Sequence, residues 1–127
     1  MKSSPKIYFA SDLHLGLPDY LQSRNRENLF VQWLDSIKHD ATEIYLVGDI
    51  FDFWWEYKKV VPRGFTRFLG KISELSDAGI KIYFFTGNHD VWVFDYLEKE
   101  CGVSICREPV TREWGGKKFY IDRKSVV

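Results

Sequence analysis

Three apolar runs in this chain each break off into residues able to bind a cation, and that pattern narrows the folds open to it. Ile44 to Val47 reads as a buried strand. Gly48 follows, where the backbone must turn sharply or make room for something close. Asp49 then stands just where the strand stops. In the same way Ile7-Tyr8-Phe9-Ala10-Ser11 runs into Asp12-Leu13-His14, and Ile82-Tyr83-Phe84-Phe85-Thr86 runs into Gly87-Asn88-His89-Asp90. If the strands are parallel neighbours, their C-terminal ends lie on one edge of the sheet, where ligands bind in open α/β sheets. The expectation is that these ends hold metal ions, with Asp49 between them.

The segments between the runs supply crossovers. Asp12 to Asn25 reads as a loop broken by Gly16 and Pro18. From Arg26 onward Leu29, Phe30, Trp33, Leu34 and Ile37 recur at helical spacing with one face for a core, and Lys38 and His39 suit the helix end. A second helix fits Gly64 to Ala78, with Phe65, Phe68, Leu69, Ile72 and Leu75 on one side and Gly79 as its stop. A shorter helix fits Trp92 to Glu100, and Val103 to Cys106 a fourth strand. Val110 to Trp114 and Lys117 to Ile121 flank Gly115-Gly116, a hairpin signature. The order β-α-β-α-β-α-β, then a hairpin, argues for an α/β sandwich with right-handed crossovers.

At 127 residues the chain is long enough for one domain with a real core, and its 45% hydrophobic and 28% charged content is globular. A formal net charge of zero provides no strong field to recruit nucleic acid or an anionic membrane. The start of the chain lacks the apolar segment of a signal peptide, and no run approaches a transmembrane helix. Cys101 and Cys106 fit no zinc ribbon and are expected as structural thiols. Phe51, Phe53, Trp54, Trp55 and Tyr57 crowd together before Lys58 and Lys59. Two readings stay open for them. The aromatics fill core space, or Trp54 and Tyr57 face acyl chains with Lys58, Lys59 and Arg63 near anionic headgroups.

Past a strand end alternate residues point the same way, so Asp12 and His14 can reach one site. Asp49 adds a carboxylate able to bridge two ions, Asn88 an amide oxygen and His89 an imidazole. Mixed oxygen and nitrogen donors suit Mn²⁺, Fe or Zn²⁺ better than Ca²⁺. Two such ions can activate water and clamp phosphate oxygens. Taken singly each residue could be a turn or cap; the three in order, each on a strand end, point to a shared site.

Asp12-Leu13-His14, Gly48-Asp49 with Asp52, and Gly87-Asn88-His89-Asp90 resemble the first three motifs of the calcineurin-like metallophosphoesterases. The resemblance implies that Asp12 and His14 bind one divalent metal, that Asp49 bridges two and that Asn88 binds the other, with Mn²⁺ the expected ion. It implies that His89 acts near the scissile phosphate, stabilising charge or protonating the leaving group, and that Asp52 and Asp90 orient the histidines from behind. Ser11 to Gly16 and Gly48 to Trp54 are most similar to the branch of the family that serves lipid A synthesis. That likeness implies hydrolysis of UDP-2,3-diacylglucosamine to UMP and 2,3-diacylglucosamine 1-phosphate by a cytoplasmic enzyme peripheral to the inner membrane. Many members of that branch carry Arg where this chain has His89, so the motif ties the reaction type to this chain more closely than the substrate.

The family pattern continues beyond what is present: a later His, then Gly-His-x-His. With His14, His39 and His89 the only histidines, residues 1–127 are expected to form a single domain that is the N-terminal half of the family's sandwich. A truncated or frame-shifted reading and a deliberately cut piece remain alternatives. Such a half is expected to show weak or single metal occupancy, little turnover, and apolar surface through which copies could pair. The alternatives in function are another calcineurin-like phosphodiesterase or phosphatase, or a non-catalytic remnant that binds metal or a partner.

Overall fold

Four strands, β1 (Ile7–Ala10), β2 (Glu43–Val47), β3 (Lys81–Phe85) and β4 (Ser104–Cys106), lie side by side in chain order and are all parallel. The computed structural model describes residues 6–16, 19–52, 64–86 and 95–122, and the backbone of 125–126. Helices α1 (Tyr20–Ile37), α2 (Thr66–Asp77) and α3 (Tyr96–Cys101) connect the strands. The strand order never reverses, so crossovers of one hand place every helix on the same face.

Alternation along the strands sorts their side chains between two cores. Tyr8, Ala10, Ile44, Leu46, Ile82, Phe84 and Ile105 join the helices, meeting Phe30, Leu34, Ile37, Phe68, Ile72, Leu75 and Leu97. Ile7, Phe9, Tyr45, Val47, Tyr83, Phe85 and Cys106 belong to the other face. An antiparallel hairpin covers it: β5 (Val110–Trp114) and β6 (Lys117–Asp122), with the two-residue β7 (Ser125–Val126) beside β6. Val110, Trp114 and Ile121 supply its apolar surface. Since β2 is covered on both faces, its sequence is an unbroken apolar run rather than an alternating one.

The second face is mostly aromatic. Tyr45 stacks on Phe9 at 5.3 Å and on Tyr83 at 4.8 Å, and Trp114 meets it edge-on at 5.6 Å. The Tyr45 hydroxyl donates to Glu43 Oε1 at 2.7 Å and accepts from Arg112 Nε at 3.0 Å, so the hairpin is tied to β2 by a bond as well as by packing. Burial, reinforced by the Glu43 carboxylate, pushes the Tyr45 phenol well above the usual tyrosine range.

The architecture agrees with the expected β-α-β-α-β-α-β and hairpin, with the paired Gly115 and Gly116 both at positive φ as a tight hairpin turn requires. Several boundaries differ. α1 begins at Tyr20, six residues before the expected start at Arg26. Asp19 caps it, Oδ1 accepting from the Gln22 N–H at 2.9 Å. The early turns escape an apolar periodicity because their buried positions are polar, Ser23 and Glu27. Leu29, expected on the core face, is 65% exposed. α2 starts at Thr66 rather than Gly64, β3 ends at Phe85 rather than Thr86, and α3 spans Tyr96–Cys101, one residue past the expected end at Glu100; the expected start at Trp92 lies outside the described residues. β7 was not expected. Cys101 and Cys106 are both free thiols, as expected.

Glu27 has a definite task. α2 opens at Phe65 with no side-chain cap of its own. Glu27, only 3% exposed on α1, reaches across so that Oε2 accepts from the Phe68 N–H at 2.9 Å. A carboxylate there satisfies an orphan donor and faces the positive end of the helix dipole. Glu27→Ala should therefore cost about 1–3 kcal/mol in urea unfolding, and Glu27→Gln less, because an amide oxygen can still accept. Tyr45 gives a pH signature. The folded phenol holds its proton more tightly than the unfolded one, so its contribution is complete below the unfolded pKa of about 10 and is lost as pH rises beyond it. Alkaline unfolding curves should show that decline, and Tyr45→Phe should flatten it.

Candidate metal centre

The loops after β1 and β2 are held to each other by their backbones. In the sheet Ala10 pairs with Leu46. Beyond the strand ends the Asp12 N–H donates to Gly48 O at 3.2 Å, His14 N–H to Asp49 O at 3.0 Å and Leu15 N–H to Ile50 O at 2.9 Å. Asp52 N–H then donates back to Leu15 O at 2.9 Å, and Leu15 bridges Phe51 in parallel fashion. Leu15, Ile50 and Phe51 are fully buried and anchor this ladder in the helix-side core.

The ladder is irregular at its polar positions. Asp12 (φ 56°), His14 (φ 46°) and Asp49 (φ 53°) all adopt the left-handed backbone conformation. That conformation costs an L-residue about 1–2 kcal/mol, with Asp among the more tolerant. Only four non-glycine residues show positive φ among the described residues, and three of them are these. Strain gathered in this way marks a position that the surrounding structure enforces.

The result is convergence. One donor atom from each of Asp12, His14 and Asp49 lies within 4.8 Å of the other two. Asp12 is exposed, while His14 and Asp49 are half-buried. Ser11 Oγ donates to Asp12 Oδ2 at 3.0 Å. His14 Nε2 stands 3.6 Å from Asp12 Oδ1, and on the other side of the ring Nδ1 stands 3.8 Å from Asp52 Oδ1. Two carboxylates and an imidazole on a solvent-accessible sheet edge are a donor set suited to a divalent cation of intermediate hardness.

The structure thus brings Asp12, His14, Asp49 and Asp52 into one cluster. Asn88, His89 and Asp90, and the aromatic pair Trp54 and Tyr57, lie outside the described residues. β3, which leads to Asn88, pairs with β2 up to Val47↔Phe85. Two residues that the sequence did not single out also touch the site's loop. Ser23 and Arg26 both bond to its backbone from α1. No apolar period marks them, and their only signal is polar side chains on turns that a helix buries.

This sheet edge, with its Asp-x-His and Gly-Asp tips, is that of a metallophosphoesterase, and comparison with known proteins agrees. The family model for calcineurin-like phosphoesterase matches residues 5–123, and the chain belongs to that family. It is 54% identical over 114 residues to a UDP-2,3-diacylglucosamine hydrolase of Porphyromonas gingivalis, covering 90% of this chain and 44% of that protein. It is 33% identical over 122 residues to the UDP-2,3-diacylglucosamine hydrolase of Histophilus somni strain 129Pt, covering 91% of this chain and 47% of that protein. The chain therefore spans under half the length of these relatives. A solved nuclease, MPE of Pseudomonas putida, superposes with a TM-score of 0.48 at 16% identity, over 83% of this chain and 49% of that one.

The backbone strain at His14 can be separated from its donor role. His14→Gly and His14→Ala both delete the imidazole, but only glycine relaxes φ. The glycine variant should be the more stable of the two by about 1 kcal/mol. Equal unfolding midpoints would show that the left-handed turn carries no strain.

Proposed function

We propose that this chain carries the first half of a dinuclear metal hydrolase acting on UDP-2,3-diacylglucosamine, with water adding to the pyrophosphate to yield UMP and 2,3-diacylglucosamine 1-phosphate. The observation that carries the reading is the convergence of Asp12, His14 and Asp49 within 4.8 Å. The names of the relatives, one at 54% identity, support the substrate. Asp12 and His14 would hold one ion, Asp49 would bridge, and Asn88 would serve the second. Mn²⁺ is the ion proposed. Bound divalent ions supply Lewis acidity, lowering the pKa of water and offsetting charge on phosphate oxygens. Asp52, beside Nδ1 of His14, would fix the ring's orientation, as partners behind metal-binding histidines do. His89 would stabilise charge at the phosphate or protonate the leaving group, and Asp90 would support it.

The proposed location is the cytoplasmic face of the inner membrane, reached peripherally. Among the described residues no helix is long and apolar enough to cross a membrane. Trp54 and Tyr57 are the proposed lipid contacts. Among the described residues there is one Asp-His-Asp donor set, and residues 1–127 on their own should take up one ion weakly and turn over little substrate.

Calorimetric titration with Mn²⁺ tests the centre. One weak site is expected, and Asp49→Asn should weaken it at least about tenfold, the scale of losing a ligand's support or more. Two tight sites would overturn the expectation of weak single occupancy, and an Asp49→Asn variant that binds as the parent does would overturn the metal-centre reading. With Mn²⁺ present, cleavage of UDP-2,3-diacylglucosamine should exceed that of a simple aryl phosphodiester. The reverse preference would favour another phosphodiesterase of the same family. Metal uptake with cleavage of neither, by the complete gene product as well as by residues 1–127, would favour a non-catalytic metal-binding role.

A further inference from the structure

Three side chains of α1 reach out of the helix to backbone elsewhere. Glu27 caps α2. The other two act on the loop that holds the first candidate ligands. Ser23 Oγ accepts from the Gly16 N–H at 2.6 Å. Arg26 Nε donates to the Leu13 carbonyl at 3.0 Å, and Nη2 donates to the His14 carbonyl at 2.7 Å. Ser23 and Arg26 are three apart, so they share one helix face.

The geometry of the Arg26 contact bears on the backbone conformation of His14. Successive carbonyls point in opposite directions along an extended chain, and in the same direction through a helical-type turn of either hand. A guanidinium presents its donors in a rigid planar fork. One fork can therefore take the Leu13 and His14 carbonyls together only when the chain turns at His14, as it does at φ 46°. The His14 N–H is meanwhile held by Asp49 O at 3.0 Å. The residue is clasped through both its N–H and its carbonyl. Hydrogen bonds to a charged donor are stronger than neutral ones, which suits a contact that must offset local strain.

We propose that Arg26 is a positioning residue: by holding the Leu13 and His14 carbonyls it keeps His14 in the left-handed turn that brings its imidazole to Asp12 and Asp49. This rests on the reading of those three residues as a metal centre. Ser23 reinforces the same loop one turn further on, at Gly16. A lysine cannot replace the fork, because a single ammonium cannot meet two fixed carbonyls with the same planar geometry.

The test uses the 127-residue chain, with Arg26→Met and Arg26→Lys beside it, and two measurements on each. The first is the Mn²⁺ affinity by calorimetry. The second, without metal, is amide hydrogen exchange at His14 and Leu15, with Phe84 in β3 as an internal control. Arg26→Met should weaken Mn²⁺ binding about 10–100-fold, the range for groups that orient a ligand from behind. It should speed exchange at His14 and Leu15 at least about tenfold while Phe84 stays protected. Arg26→Lys should fall between. If Arg26→Met does not fold, Arg26→Lys carries the comparison. Unchanged exchange at His14 and Leu15, or unchanged Mn²⁺ affinity despite faster exchange, would overturn the proposal. Should the parent chain bind no Mn²⁺, the metal-centre reading falls, and the exchange data alone decide whether Arg26 positions His14.

Discussion

The parallel pairing of β1 with β2 does not stop where the strands stop, and most of the site follows from that. Backbone bonds from Asp12, His14 and Leu15 to Gly48, Asp49 and Ile50 carry the ladder onward through a stretch of left-handed turns. Two loops that would otherwise be independent become one unit. Polar side chains can then be presented at the sheet edge while the apolar residues between and after them return to the core. Phe51 shows how firmly the unit is seated. It lies 5.1 Å from Phe65, 5.6 Å from Phe68 and 6.0 Å from Phe84, ring centroid to ring centroid, and so joins the loop to the start of α2 and to β3.

Seating of this kind needs a sheet that is rigid on both sides. On the helix face that rigidity is aliphatic and aromatic packing around Ile44, Leu46, Ile82 and Phe84. On the other face it is the stack of Phe9, Tyr45 and Tyr83 under Trp114. A tyrosine at the centre of β2 is tolerated because its hydroxyl finds Glu43 and Arg112 at the rim, so the buried polar atom is satisfied. The hairpin thus does for the second face what three helices do for the first.

Much of this was legible in the sequence. Strand tips ending in Asp12, His14 and Asp49 are read directly from apolar runs that break into ligating residues, since a buried parallel strand needs no alternation and its end needs no cap. The paired glycines announced the hairpin because a tight turn demands positive φ twice. What the pattern concealed was polar burial. Ser23 and Glu27 sit where a helix normally shows apolar residues, so the first two turns of α1 looked like loop. Those residues are buried because backbone groups elsewhere require them, at Gly16 and Phe68, and a one-dimensional period does not encode such a demand. β7 is two residues long and has no period to read.

The same long-range demands explain why α1 is more than a crossover. A crossover helix needs only an apolar stripe facing the sheet, and Phe30, Leu34 and Ile37 provide it in the later turns. The earlier turns contribute Ser23, Arg26 and Glu27 instead, each spent on a backbone partner outside the helix. The helix is thereby divided along its length into a half that packs and a half that holds. The holding half lies against the loop where Asp12 and His14 take up left-handed turns. There, donor atoms of Asp12, His14 and Asp49 are drawn within 4.8 Å of one another. Backbone strain at three such positions is a cost that an isolated loop would shed by opening. An anchoring helix on one side and a buried Leu15–Phe51 bridge on the other keep it closed.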